Sequence, residues 1–317
     1  MAFVLKHSNF RSLSKARTVV QRQIVKKSSI YERRDATAIN YCVNLVRHHD
    51  YENYLCCLLV KKQSRNAIFA IRALNVELAK ISDSTTVETI GKMKLKFWRD
   101  TVQSIYTKGS CPDHPVAKEL QKAIELYGLS KHWISRILDS REENLHSNPF
   151  TNMEELEAYS ERSVSSILYL SLEASGVKDA NADHCASHLG KAMGIITLLR
   201  STLHHLKSRK VLWPNDIMIK NGISQEDMLR GRNLPAIKEA TYEIACRAHA
   251  HLDKAKTLGK NIPKLGSRCL LPIVPFNTFL ENLRQMDFDI FDSKLYQRNG
   301  ILPVLLLKVL LMGSFGR

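Results

Sequence analysis

Apolar positions recur along most of the chain at intervals of three and four, the spacing of a helix with one buried face. Residues 64–81, SRNAIFAIRALNVELAKI, place Ile68, Ile71, Val76 and Leu78 on such a pattern with alanines between them. This predicts a buried helix, with Ser64 as its N-cap. Shorter apolar-rich helices are predicted over 36–49 and 51–60. Thr86 is positioned to cap a helix over 88–106, with Thr89 rather than an acid three residues later. CPDHP at 111–115 breaks the pattern. Helices follow over 115–127, closed by Gly128, and over 131–145. Asn152 leads one over 153–175, closed by Gly176, and further helices are predicted over 180–206, 224–229 and 235–258. No alternating run long enough for a strand is bracketed by turn residues. The pattern predicts an all-α protein, one orthogonally packed bundle rather than two domains.

The last apolar run, ILPVLLLKVLLM from Ile301, is twelve residues long and contains Pro303 and Lys308. It is too short to cross a bilayer as a helix. Two roles stay open: a terminal core helix, or one that faces a membrane or a partner.

Charge changes the picture at the N-terminus. The chain carries a formal net charge of +16. Half of it falls in residues 1–34, where nine Lys and Arg meet a single acid, Glu32. The first thirty residues hold no acid and no continuous apolar stretch, the composition of a mitochondrial presequence. A basic disordered tail is the alternative. The expected division is a presequence and basic tail over 1–34, a helical domain over 35–295, and an apolar C-terminal helix within 296–317. A basic body attracts anionic lipid, acidic protein or phosphorylated ligands. No zinc-finger spacing or Gly/aromatic RNA platform is present, so nucleic acid is not expected as a partner. Seven scattered cysteines, none in a CxxC pair, read as free thiols rather than a disulfide framework.

Four segments carry the chemistry: RHHDYENYLCCLLV from Arg47, AIFAIRALNVELAKI from Ala67, ILDSREENL from Ile137, and LGKAMGIITLLRSTLHHLKSRKVLWP from Leu189. Their order and spacing resemble the squalene/phytoene synthase family from about residue 38 to about 290. The resemblance implies an isoprenoid-synthase-like helical bundle with a central cavity. In that family two facing helices each carry an aspartate-rich motif that holds magnesium, and the magnesium holds a diphosphate.

Both motifs depart from the pattern here. The first, DDxxD-like, falls on Val76-Glu77-Leu78-Ala79-Lys80 and keeps only Glu77 as an acid. The second, NxLRDxxxD-like, falls on Thr197 to His205. It keeps Arg200 but places Ser201 and His205 at the aspartates and His204 between them. Asp50 and Glu52 stand where the family places a Ser-x-Ser pair for diphosphate oxygens, and carboxylates would repel a diphosphate. Tyr159 to Ser165 also lacks the small Ala-Gly pair common at that place. Magnesium wants oxygen ligands, so the resemblance implies a kept scaffold without its metal box and no required cofactor.

The remnant cavity is expected to involve Asp50, Glu52, Arg72, Glu77, Lys80, Arg200, Ser201, His204 and His205. Glu77 is expected to pair with Arg72 or Arg200. Lys207, Arg209 and Lys210 beyond that helix are candidate contacts for anionic lipid head groups, or simply a soluble rim. His184 and His188 share a helical face but lack a signalled third ligand, so no metal is expected there. Asp139, Glu142 and Glu143 read as a solvated face. The phrase MDFDIFD, from Met286, reads as a loop with Phe288 and Phe291 turned inward, the alternative being an acidic docking phrase.

Phrases such as Asp50-Tyr51-Glu52 and FAIRALNVELA from Phe69 resemble a branch of the family that assists assembly of mitochondrial respiratory complex I, the NADH dehydrogenase. That resemblance implies a non-enzymatic assembly role on the matrix side of the inner membrane. The implied partners are assembly intermediates or membrane-arm subunits, with anionic inner-membrane lipids. A divergent isoprenoid- or phospholipid-binding enzyme, and a lipid carrier or tether, are the alternatives.

Overall fold

The computed structural model describes residues 37–84, 87–145 and 148–312. The presequence expected over 1–34 and Thr86 lie outside them. Among the described residues every regular element is helical and no strand forms. In order these are α1 (37–49), α2 (Tyr51–Leu58), α3 (Lys62–Ser84), α4 (Glu88–Lys108), α5 (Pro115–Tyr127), α6 (Lys131–Glu143), α7 (Met153–Ser160), a π-helical turn (Glu161–Ser165), α8 (Ser166–Ala174) and α9 (Ala180–Lys207). Then follow α10 (Asn215–Lys220), α11 (Gln225–Arg230), α12 (Leu234–Gly259), α13 (Lys264–Cys269), α14 (Ile273–Gln285), a 3-10 turn (Ser293–Tyr296) and α15 (Leu302–Met312).

α9 is the central element because it is buried on more than one side. Ala182, Cys185, Ala186, Leu189, Ile195, Ile196 and Leu199 are inaccessible or nearly so. It packs along α12, whose buried stripe runs Ile237, Ala240, Thr241, Ile244, Ala248, Leu252 and Ala255. Those are helical spacings, and the alanines let the two backbones come close. α3 lies on the other side of the core against α5 and α8.

Local signals account for the boundaries. Asn152 accepts from Glu155 N, Asp179 from Ala182 N, and Ser224 forms a capping box with Asp227. Gly128 ends α5 at φ 62°, a conformation that costs a residue with a Cβ. Other boundaries differ from expectation. α3 begins at Lys62, so Ser64 is inside the first turn and its hydroxyl donates to Lys61 O. Val87 occupies the N-cap position of α4.

The helix expected over 153–175 is interrupted by the π turn. One extra residue there turns the following helix by about 100° relative to an uninterrupted one. The turn and Ser160, the last residue of α7, lie against α9 at two glycines: a Cβ on Gly190 would come 2.1 Å from Ser165 Oγ, and one on Gly194 2.0 Å from Ser160 Oγ. Only the absence of these two side chains lets the segments approach so closely.

In the acidic phrase, Phe288 and Phe291 pack on the core. Asp287 pairs with Lys238 at 3.0 Å, while Asp289 and Asp292 accept from nearby backbone amides. α15 packs on α2 and α14 through Leu302 and Leu306, which join Cys56 and Leu271 in a small apolar cluster. Its opposite face is exposed. No helix among the described residues is long and apolar enough to cross a membrane.

Candidate functional site

A cavity of about 690 Å³ opens between α2, α3, α9, α14 and the 3-10 turn. Helical spacing decides who lines it. On α9 the stripe runs Met193, Thr197, Arg200, Ser201, His204 and His205; on α3 it runs Arg72, Asn75, Val76, Ala79 and Lys80. Asp50 and Glu52 come from the start of α2. Eight of the nine residues expected in the remnant cavity are therefore together.

Glu77 is the exception. It sits about 100° around α3 from Val76, on the side toward α1, and its carboxylate accepts from Tyr41 Oη at 3.2 Å. The expected pairing of Glu77 with Arg72 or Arg200 does not form, because both arginines have nearer acids. Arg72 meets Asp50 at 3.5 Å and Arg200 meets Glu52 at 2.5 Å. Lys207, Arg209 and Lys210 are not in the cavity wall; they follow His205 at the end of α9 and the loop after it, with Arg209 at φ 55°.

The cavity contains five cations, Arg72, Lys80, Arg141, Arg200 and Arg298, against the two acids Asp50 and Glu52. Arg72 is only 4% exposed, and its Nε has no hydrogen-bond acceptor. Arg141 donates to Tyr159 Oη at 2.8 Å and to Asn75 Oδ1 at 3.0 Å, with its Nε also buried and unpartnered. Arg200 lies over the rings of Phe276 and Phe279, and Arg298 over Tyr51 at 3.8 Å. A narrower cavity of about 160 Å³ shares Arg141, Thr197 and His205 with the first and continues between Ile81, Leu145 and Leu198. The space is thus cationic at one end and apolar at the other.

Arg141, Arg298, Phe276 and Phe279 were not singled out by the sequence reading. Arg141 lies among acids in SREEN, which resembles a solvated face. Those acids do have partners: Arg99 bridges Asp139 and Glu142, and Arg162 holds Glu143.

The fold family implies magnesium at this site, and the donor set does not fit it. The facing i, i+4 positions are Val76 with Lys80 and Ser201 with His205. They offer a hydrocarbon, an ammonium, a hydroxyl and an imidazole, where a hard cation needs several oxygen ligands. Among the described residues no group of three or more His, Cys, Asp or Glu is arranged to hold a metal ion. Cys56 and Cys57, buried behind Arg72, are also poor nucleophiles: burial raises both thiols, that of Cys57 to about 12, despite the opposing pull of Arg72.

Away from the cavity, His188 Nδ1 and His251 Nδ1 are 2.9 Å apart, and His251 Nε2 is 3.3 Å from Glu157, which also holds Arg247. His184 is exposed and takes no part in this chain. Burial first, then His251, Lys191 and Lys254, lower the pKa of His188 below its usual 6.5, while Glu161 opposes. The unfolded chain therefore takes up this proton more readily. Stability from this group is full above pH 6.5 and is lost as pH falls through the lowered native value. Denaturant midpoints should drop between about pH 7.5 and about pH 5.5. The drop should shrink in His188→Asn, and His114, lowered mainly by burial, should account for part of what remains. An unchanged pH dependence in His188→Asn would exclude this role.

Comparison with known proteins places these features. The squalene/phytoene synthase profile matches residues 46–300. The chain is 46% identical over 267 residues to NADH dehydrogenase (ubiquinone) complex I, assembly factor 6 of Homo sapiens, covering 84% of this chain and 80% of that protein. It is 33% identical to the Drosophila melanogaster homolog of that factor, covering 98% and 94%. The fold resembles that of a dehydrosqualene synthase crystallised with ligand, with a TM-score of 0.77 and 15% identity over 88% of this chain and 97% of that one.

Proposed function

The chain belongs to the squalene/phytoene synthase family, and from that premise we propose that it is a non-enzymatic assembly factor for mitochondrial respiratory complex I. The observation that carries this reading is the 46% identity to a complex I assembly factor over most of both chains. The cavity supports it: a prenyl synthase would need metal ligands at Val76, Lys80, Ser201 and His205, and those side chains supply no carboxylate. In this reading the protein works from the matrix, peripheral to the inner membrane, and supports biogenesis of the membrane arm. Its partners are assembly intermediates or membrane-arm subunits, with anionic lipid of the inner membrane. The basic residues 1–34 act as the presequence.

Native gels of respiratory complexes from cells lacking the protein test this. Assembled complex I should be lost selectively, with a stalled membrane-arm intermediate, and re-expression should restore it. Normal complex I in such cells would overturn the assembly role. The cavity favours one second reading, a protein that binds an isoprenoid or phospholipid, as an enzyme or a carrier, because a cationic end adjoins an apolar one. Incubation with farnesyl diphosphate and magnesium should yield no coupled product; turnover would establish an enzyme.

A further inference from the structure

α15 is apolar on both faces but only one is covered. Leu302 and Leu306 are buried against α2 and Leu271, while Ile301, Val304, Leu307 and Leu311 are 64%, 66%, 48% and 84% exposed. An exposed apolar stripe interrupted only by Lys308 marks a contact surface. From the geometry we infer that its partner is an anionic bilayer: α15 lies in the lipid interface and holds the cavity mouth at the level of the head groups.

Three observations favour lipid over protein. The exposed stripe holds Ile301, Val304, Leu307, Leu311 and Met312 around Lys308 and no aromatic or Arg, whereas protein interfaces are enriched in Tyr, Trp, Phe, Met and Arg and depleted in Lys. Residues 293–312 contain Lys294, Arg298 and Lys308 and no acid, which complements an anionic surface. Lys308 lies between Val304 and Leu311 on the exposed side, where its stem can lie in hydrocarbon while the ammonium reaches phosphate. At eleven residues the helix is about 16 Å long, half a bilayer core, so it lies in the interface rather than spanning it.

The stripe is also continuous with the cavity. Leu295, Arg298 and Leu302 line the cavity, while Ile301 faces outward. A helix seated on lipid through Ile301 and Val304 therefore brings the mouth, with Arg298 at its edge, against the surface. This inference rests on the peripheral-membrane part of the proposed function and names the helix that carries it; vesicle binding and complex I assembly are read separately, so either can fail alone.

The test is co-sedimentation of the protein without its presequence, residues 35–317, with phosphatidylcholine vesicles, with and without phosphatidylglycerol, so that the eight net charges of residues 1–34 do not carry the binding. Salt near 0.15 M shortens electrostatic reach to about 8 Å. Wild type should pellet with the anionic vesicles and much less with phosphatidylcholine alone. The double variant Val304→Glu/Leu311→Glu should bind at least about tenfold more weakly, since each side chain loses its apolar burial. Both positions are exposed, so its thermal midpoint should match wild type. Leu126→Glu, at an equally exposed position on α5, should bind normally. Three results would overturn the inference: wild type left in the supernatant, equal retention of the double variant, or a wild-type dimer that the double variant converts to monomer.

Discussion

Gly190→Ala should destabilise the protein by about 2–3 kcal/mol, although alanine in a helix interior normally gains about 0.5–1 kcal/mol over glycine. The sign reverses because of what the new methyl meets. It would fall 2.1 Å from Ser165 Oγ, 2.5 Å from Ser165 Cα and 2.6 Å from Ser165 N. A rotamer change can move the hydroxyl, but the backbone atoms can retreat only if the π turn leaves α9. Gly194→Ala is a gentler case. Its nearest atoms are Oγ and Cβ of Ser160, at 2.0 and 2.4 Å, while Cα is 3.2 Å away. Ser160→Gly should therefore rescue Gly194→Ala, and Ser165→Gly should rescue Gly190→Ala only partly. Denaturant unfolding of the four variants reads both effects. A Gly190→Ala protein as stable as wild type would mean that the two segments do not approach this closely. The same contact sets the stripe from Met193 to His205 on the cavity, so loosening it should also widen the cavity.

The Arg72–Asp50 pair in the cavity wall should respond unequally to the loss of its two members. Asp50→Ala should cost about 3 kcal/mol, the range for breaking a buried ion pair. It strands a guanidinium that is 96% buried, with no other acid in contact among the described residues. Arg72→Met should cost about 1 kcal/mol, because the thioether fills similar space. Asp50, at 24% exposure, keeps access to water and the hydrogen bond from Asn53 Nδ2 at 2.8 Å. Unfolding free energies of the two single variants and the double variant decide it. Equal costs, or a larger cost for Arg72→Met, would show that the charge of Arg72 is satisfied by something other than Asp50.

Much of this fold is legible in the sequence because long amphipathic helices announce themselves. The stripe on α12 and the caps at Asn152 and Gly128 depend only on neighbours within a few residues. α14 was missed for a local reason too. Pro272 and Pro275 look like breakers, yet they occupy the N-cap and first turn, where a missing amide costs nothing. The π turn is illegible because it is a change of register imposed by α9, not by its own residues. The cavity divides in the same way. Its lining on α3 and α9 follows from periodicity within each helix. Partner choice depends on how the helices are rotated against one another, so Glu77 is expected to hold Arg72 or Arg200 when the acids for both arginines come from the start of α2. Arg141 was hidden among acids that turned out to be held by Arg99 and Arg162.

The π turn also constrains how this chain can change length. Most surface loops tolerate insertion or deletion of single residues. Between Ser160 and Ser165 such a change would rotate everything after it by about 100°. Ser160 and Ser165 could then no longer both meet glycines on α9, and the apolar face of α8 would leave the core. Substitution is open to this stretch, but a gap is not, so functional descendants of this chain should align across it without one.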